Sequence, residues 1–345
     1  MPSRSAIRSE REKGAVIAAV KAGDESAFVV LVERYRRELQ VHCYRMLGSL
    51  EDSEEMVQET ALRAWRSRIR FEGRSSFRAW LYRIATNACL DVLQRRTPRL
   101  LPIDMAPAGD PRRELPSPSE SPALDPYPDT LLATVASAED EPEEAIVAKE
   151  TIELAFLAAI QHLPPRRRAV LILRDVLGWS AKDTASVLDV SVASVNNALR
   201  RARATLKQHL PASRLEWAPS SEPSSAERAL LDRYIDAHER SDLNGLAALL
   251  RDDVRFSAPP TPRWHDGREA FLTSMRRSAS PGRFRLVPAR ANMQPAAASY
   301  VRRDDTSKYR PLAIDVLRVE QGLVAEIITF VRPDLFAAFG LPAEL

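Results

Sequence analysis

Apolar residues keep to one helical face from Glu25 to Leu47; Gly48 breaks the pattern and Ser53 to Arg68 resumes it. Gly73 marks a loop. Leu81, Ile84, Ala85, Ala88 and Val92 then form a third helical stripe within Phe77 to Leu93, and Pro98 ends it. From Gly178 the chain reads GWSAKDTASVLDVSVASVNNALRRARATLKQHL. Ser180 with Asp183 three residues on forms a capping-box-like start, Ala185, Val187 and Leu188 make a short apolar helix, and Asp189 to Ser191 supply a turn. Ser191 caps the next helix, and the spacing fits a helix-turn-helix. Beyond Ala226 the pattern changes in kind. A helical start to Leu250 gives way to VRFSAPP, a short helix near Arg268 to Arg276, and alternating segments around Phe284 to Ala291, Ala297 to Arg302, Leu312 to Glu320 and Val324 to Val331. These predict an α+β module with an antiparallel sheet.

Two stretches show neither period. Residues 98–142 hold ten of the 25 prolines, and Pro211 to Ser225 mixes three prolines with five serines, so both read as linkers. The expected architecture is multidomain: two all-α modules at 1–97 and 143–210, followed by an α+β module at 226–345. At 345 residues the chain exceeds what one core usually serves, which agrees with this division.

Composition changes little. Charged residues at 28% and apolar residues at 45% are ordinary for globular proteins, and a net charge of +3 is uninformative until its distribution is considered. Cys43 and Cys89 are too few for a disulfide framework or a multi-thiolate zinc site, so buried free thiols are expected. The five histidines form no ligand pattern along the chain and no glycine-rich phosphate loop occurs, so neither metal nor cofactor is expected. MPSRSAIRSEREKG lacks the apolar core of a signal peptide, and no window approaches the ~18 apolar residues of a membrane span; a cytoplasmic, non-membrane protein is expected.

The charge distribution is more informative. Asp52, Glu54, Glu55 and Glu59 make an acidic helical face, whereas Arg66 to Arg99 holds nine arginines against Glu72 and Asp91, with Phe71, Phe77, Trp80 and Tyr82 interleaved. Basic and aromatic side chains together suit single-stranded nucleic acid. The second helix of the helix-turn-helix carries Asn196, Asn197, Arg200, Arg201 and Arg203 with no acid between Ser191 and Leu210. Amides can pair with adenine and guanidinium groups with guanine in a major groove. A solvated basic or acidic face remains the plain alternative for each.

Modules one and two resemble regions 2 and 4 of bacterial RNA polymerase sigma factors, sigma-70 family, of the extracytoplasmic-function (ECF) type, over about residues 15–210. The resemblance is carried by DSEEMVQETALRAW at 52–65 and FRAWLYRIATNACLD at 77–91, in order, upstream of the helix-turn-helix. It implies a region 2 helical bundle and a transcription initiation factor that binds core RNA polymerase, through the β′ clamp helices and the β subunit, and directs it to promoter DNA. Asp52, Glu55, Met56, Val57, Gln58 and Glu59 would form the polymerase-binding surface. Phe71 and Asn87 match positions of a pocket for an unstacked −10 base, with Arg74, Arg78 and Arg83 on phosphates; Trp80 aligns with the core, while Tyr82 is open to either role. Ser194, Asn196, Asn197, Arg200, Arg201 and Arg203 correspond to −35 positions. Asn196 and Ala198 depart from the family's basic residues, which leaves the −35 preference open. Residues 98–142, with nine acids and three arginines, resemble the family linker that threads the polymerase; a plain tether is the alternative.

The segment after residue 225, including LLDRYIDAHERSDLNGLAALLRDDVRFSAPP and RWHDGREAF, looks like a SnoaL-like domain, a cone-shaped α+β fold with an interior cavity. Asp315, alternating with Ala313, Leu317 and Val319, is the candidate cavity ligand residue or base, with His238, Trp264, His265 and Asp266 as further candidates. No spacing demands catalysis, and the expectation is a regulatory module that binds a small molecule rather than an enzyme. The rivals are a bifunctional isomerase or cyclase and a polymerase-independent repressor.

Overall fold

The computed structural model describes residues 17–71, 76–113, 122–133, 153–210, 224–262, 264–277, 282–302 and 307–345. Its longer helices are α1 (Glu25–Leu47), α2 (Leu50–Ser67), α3 (Phe77–Leu93), α4 (Leu154–Gln161), α5 (Pro165–Leu171), α6 (Ala181–Leu188), α7 (Val192–His209), α8 (Ser225–Glu239), α9 (Leu243–Leu249) and α10 (Arg268–Met275). The strands are β1 (Leu250–Ser257), β2 (Trp264–Asp266), β3 (Phe284–Ala291), β4 (Gln294–Arg302), β5 (Tyr309–Glu320) and β6 (Leu323–Phe330). The chain forms two compact units, one of residues 1–96, 134–145 and 163–208, the other of 97–133, 146–162 and 209–345.

In the first unit each helix boundary has a local cause. Asp24 accepts from the Ala27 amide at 2.9 Å to start α1, and Gly48, at φ 71°, closes it by donating to the Tyr44 carbonyl. Ser49 and Ser76 cap α2 and α3 in the same way, so α2 begins three residues before the periodicity predicts. Leu39, Cys43, Met46, Leu81, Ala85 and Cys89 pack between these helices; both cysteines are free and buried, as expected. His42 is fully buried there, with Nε2 at 2.9 Å from Thr86 Oγ1. Burial, reinforced by Arg45, holds its pKa down at about 3.

Helices α5 and α6 pack on this bundle. The Trp179 ring, just before α6, lies 5.2 Å from the Tyr82 ring of α3. Arg168 of α5, almost wholly buried, donates to the Met46 carbonyl at the end of α1 and to the Leu163 carbonyl at 3.3 Å. The helix-turn-helix is therefore docked against the first module.

The second unit centres on a six-stranded sheet of order β2-β1-β6-β5-β4-β3. The sheet is mixed rather than antiparallel, because β1 runs parallel to β6. Neighbouring antiparallel strands need only a tight turn, whereas β1 and β6 are joined through the rest of the domain, and that long connection permits the parallel pairing. The β3–β4 turn (Asn292 and Met293, φ 56° and 62°) and the β5–β6 turn (Gln321 and Gly322, φ 52° and 78°) are two-residue turns with both central residues left-handed, the geometry that matches strand twist. Leu230, Leu231 and Tyr234 of α8 and Phe271 of α10 bury against Leu286, Ala297, Leu317 and Ile327 of the sheet. Strand β2, three residues long, has too little alternation to be read from sequence.

Part of the proline-rich segment belongs to this unit. Pro128 bridges Ala291, the Tyr127 amide donates to Asn292 Oδ1 at 2.8 Å, and Asp129 accepts from Arg290 at 2.9 Å and the Met293 amide at 2.8 Å. Asp125, 1% exposed, pairs with Arg332 at 2.6 Å, and Trp264 donates its indole N–H to the Ala106 carbonyl. The segment lacks periodicity because it is held by turn-edge and carbonyl contacts rather than by a buried stripe.

Candidate nucleic-acid interface

Helix α2 divides the expected docking residues. Met56 and Val57 are 6% and 3% exposed, and Asp52 is buried and paired with Arg96 at 2.5 Å. Ser53, Met56, Val57, Thr60 and Ala64 form the face toward the bundle, so Glu51, Glu55, Gln58 and Leu62, at spacings of three and four, form the opposite stripe. Glu55 and Gln58 are exposed, whereas Glu59 is half-buried and accepts from Arg63 Nε at 2.7 Å. Leu62, 51% exposed, was not anticipated. Its position four residues beyond Gln58 was the available signal.

Around α3, Phe71 is 6% exposed and packs 5.6 Å from Phe77 and 5.1 Å from Trp80 between ring centroids. Tyr82 is core, its hydroxyl 3.3 Å from Glu38 Oε2, and Arg78 pairs with the same carboxylate at 2.8 Å. Burial and then Glu38 push the Tyr82 hydroxyl pKa far up, so it stays a neutral donor. Arg83 and Asn87, one turn apart, are both exposed on α3. Arg74 lies outside the described residues. The structure thus leaves Arg83 and Asn87 exposed one turn apart on α3, while it places Phe71 in a cluster with Phe77 and Trp80.

In the helix-turn-helix, Ser180 Oγ accepts from the Asp183 amide at 3.1 Å, Asp189 takes the left-handed conformation at φ 52°, and Ser191 Oγ accepts from the Ser194 amide at 3.1 Å. Val195, Leu199 and Ala202 bury one stripe of α7. The other side exposes Ser194, Asn196, Asn197, Arg200, Arg201 and Arg203. Four of these have intramolecular partners: Ser194 Oγ lies 2.8 Å from Ser191 Oγ, Arg200 donates to Asn197 Oδ1 at 3.1 Å, and Arg203 grips Asp175 with two bonds of 2.8 and 2.7 Å. Asp175, unforeseen from sequence, braces the recognition helix from outside the motif.

Comparison with known proteins matches Sigma-70 region 2 to residues 31–99, Sigma-70 region 4 to residues 153–206 and a SnoaL-like domain to residues 231–327. The ECF RNA polymerase sigma factor SigG of Mycobacterium tuberculosis is 41% identical over 329 residues, 94% of this chain and 86% of that protein. This chain belongs to the ECF sigma factors. SigW of Bacillus subtilis is 29% identical over 56% of this chain and 94% of its own. The crystal structure of the Mycobacterium tuberculosis ECF sigma factor SigJ shares the fold at a TM-score of 0.58, with 24% identity, 91% of this chain and 99% of that chain covered. Within an ECF sigma factor, α1 to α3 are region 2, and α6 with α7 carry the helix-turn-helix of region 4. Among the described residues no helix is long and apolar enough to cross a membrane.

The SnoaL-like domain seats Asp315 on β5, 4% exposed. One carboxylate oxygen accepts from Tyr234 at 3.0 Å and the other from Thr329 at 2.6 Å. Burial raises the Asp315 pKa, opposed by His238 and the two hydroxyls; burial lowers that of His238. A pocket of 540 Å³ lies elsewhere in this unit, lined by Asp129, Thr130, Arg228, Leu231, Arg290 and Phe339 among others, and does not include Asp315. His265, 2% exposed, and Trp264 face the Ala106–Gly109 segment, with His265 Nδ1 at 3.2 Å from the Gly109 carbonyl.

Proposed function

We propose that this chain is a transcription initiation factor that binds core RNA polymerase through the exposed stripe of α2 and directs it to promoters, α7 reading the −35 element and Arg83 with Asn87 contacting the opened −10 strand. The observation that carries the reading is the order of the two sigma-70 regions within one chain, each presenting an exposed face of the right chemistry. Run-off transcription with core polymerase tests it: transcripts that require this chain and a matched promoter are expected, and none from any promoter library would sink it. A polymerase-independent repressor has no use for the α2 stripe, and the whole-length likeness to a sigma factor favours initiation.

The SnoaL-like domain acts in this reading as a regulatory module rather than an enzyme. Its support is that Asp315 has both oxygens engaged by hydroxyl donors, and that the β3–β4 turn holds Tyr127 to Asp129 of the inter-region segment. A small molecule in the 540 Å³ pocket would touch Asp129 and Arg290, the pair that secures that segment. Asp129→Ala should alter promoter-specific transcription while leaving the sheet folded. Unchanged transcription would remove the regulatory assignment.

A further inference from the structure

Asp104, His162 and His209 are separated by 58 and 47 residues, yet their ligand-capable atoms all lie within 4.8 Å of one another in the second unit. Asp104 sits in the helical turn Pro102–Met105, His162 caps the end of α4 and His209 is the last residue of α7. His162 Nε2 is 3.3 Å from Asp104 Oδ1, and the His162 and His209 rings lie nearly parallel, 10° apart, with centroids 3.7 Å apart. We infer that these three side chains form a site for a first-row divalent cation of the zinc, cobalt or nickel kind, with water completing the coordination.

The donor set is the first argument. Two imidazoles and a carboxylate are ligands that borderline metals of this row accept, and three protein donors with an open position make a familiar partial shell. Distance is the second. Metal–nitrogen and metal–oxygen bonds of about 2.0–2.2 Å in a tetrahedron set neighbouring donors roughly 3.3–3.6 Å apart. The Asp104–His162 edge already has that length. His209 must turn its ring to bring a nitrogen to the shared point, and as an exposed terminal residue of α7 it has room to do so. Solvent reaches the cluster, since His162 and Asp104 side chains remain 17% and 23% exposed.

Coordination would fasten His209 to the inter-region segment at Asp104 and to the end of α4 at His162.

Tag-free full-length protein titrated with Co²⁺ is expected to develop a visible d–d band saturating at one ion per chain, and Zn²⁺ should displace it. His162→Asn and His209→Asn should each weaken binding by roughly tenfold or more, whereas Asp110→Asn, an exposed carboxylate outside the cluster, should leave it unchanged. His42 and His265 are buried and offer no competing surface site. Far-UV circular dichroism verifies that the variants fold. Absence of saturable one-to-one binding, or binding that survives the His162→Asn/His209→Asn double substitution, would overturn the assignment and leave the Asp–His pair as a structural contact.

Discussion

Asn87 and Arg83 are exposed one turn apart on α3, whereas Phe71, Phe77 and Tyr82 are buried. An amide that reads a base edge contributes about 1–3 kcal/mol of discrimination. Asn87→Ala is therefore expected to lower promoter opening roughly five- to hundredfold, with binding to core polymerase intact; permanganate footprinting of the −10 region measures it, and unaltered opening would remove Asn87 from the site. His42 gives a separate, pH-dependent expectation. Unfolded, its imidazole protonates near 6.5; folded, it stays neutral down to about 3. The unfolded state therefore binds the extra proton between those values, so stability is full above about 6.5 and falls as pH drops toward 3, by up to about 1.4 kcal/mol per pH unit. Urea unfolding at pH 7 and pH 5 should show this slope, and His42→Gln should flatten it. The resemblance of FRAWLYRIATNACLD to region 2 singled out Asn87 and Arg83, whose amide and guanidinium suit a base edge and a phosphate. It could not show that Phe71, Met56 and Val57 are committed to packing, since an apolar side chain reads the same whether it faces a partner protein or its own core.

At the scale of the element, periodicity carried most of the information. The helices of region 2 and the recognition helix lie close to where the apolar stripes place them, with boundaries shifted by caps such as Ser49. The same periodicity, applied to α2 with the burial now known, selects Glu51, Glu55, Gln58 and Leu62 as the face left for a partner. Replacing Gln58 and Leu62 together, Gln58→Arg with Leu62→Arg, should reduce holoenzyme formation at least tenfold by adding charge to the centre of an interface; native-gel titration with core polymerase checks it, and wild-type affinity would refute this docking face. The parallel β1–β6 pairing and the three-residue β2 escaped detection because strand direction and very short strands leave no alternation signal. The docked Tyr127–Asp129 stretch escaped for a related reason: its contacts run to a hairpin more than 160 residues away, and such partners have no period to detect.

At the scale of the whole molecule, region 4 helices α5 and α6 rest on region 2, with Trp179 against Tyr82 and Arg168 plugged into the end of α1. Promoter elements about 25 base pairs apart lie roughly 85 Å apart on duplex DNA at ~3.4 Å per base pair. On the proposed reading, in which α3 and α7 meet the two elements, the Trp179–Tyr82 contact is expected to open when the promoter is engaged. Trp179→Ala removes the larger ring of that contact. It should raise binding of the free protein to −35 duplex DNA, read by fluorescence anisotropy without polymerase; unchanged or weaker binding would show that the contact does not limit access.

That ring contact also sets a threshold for unwanted binding. If only the open form reads both elements, apparent affinity is the intrinsic affinity multiplied by the open fraction, and each ~1.4 kcal/mol that holds Trp179 on Tyr82 lowers it about tenfold. If polymerase docks on α2 as proposed and opens this contact, it releases specificity that the isolated chain would keep latent.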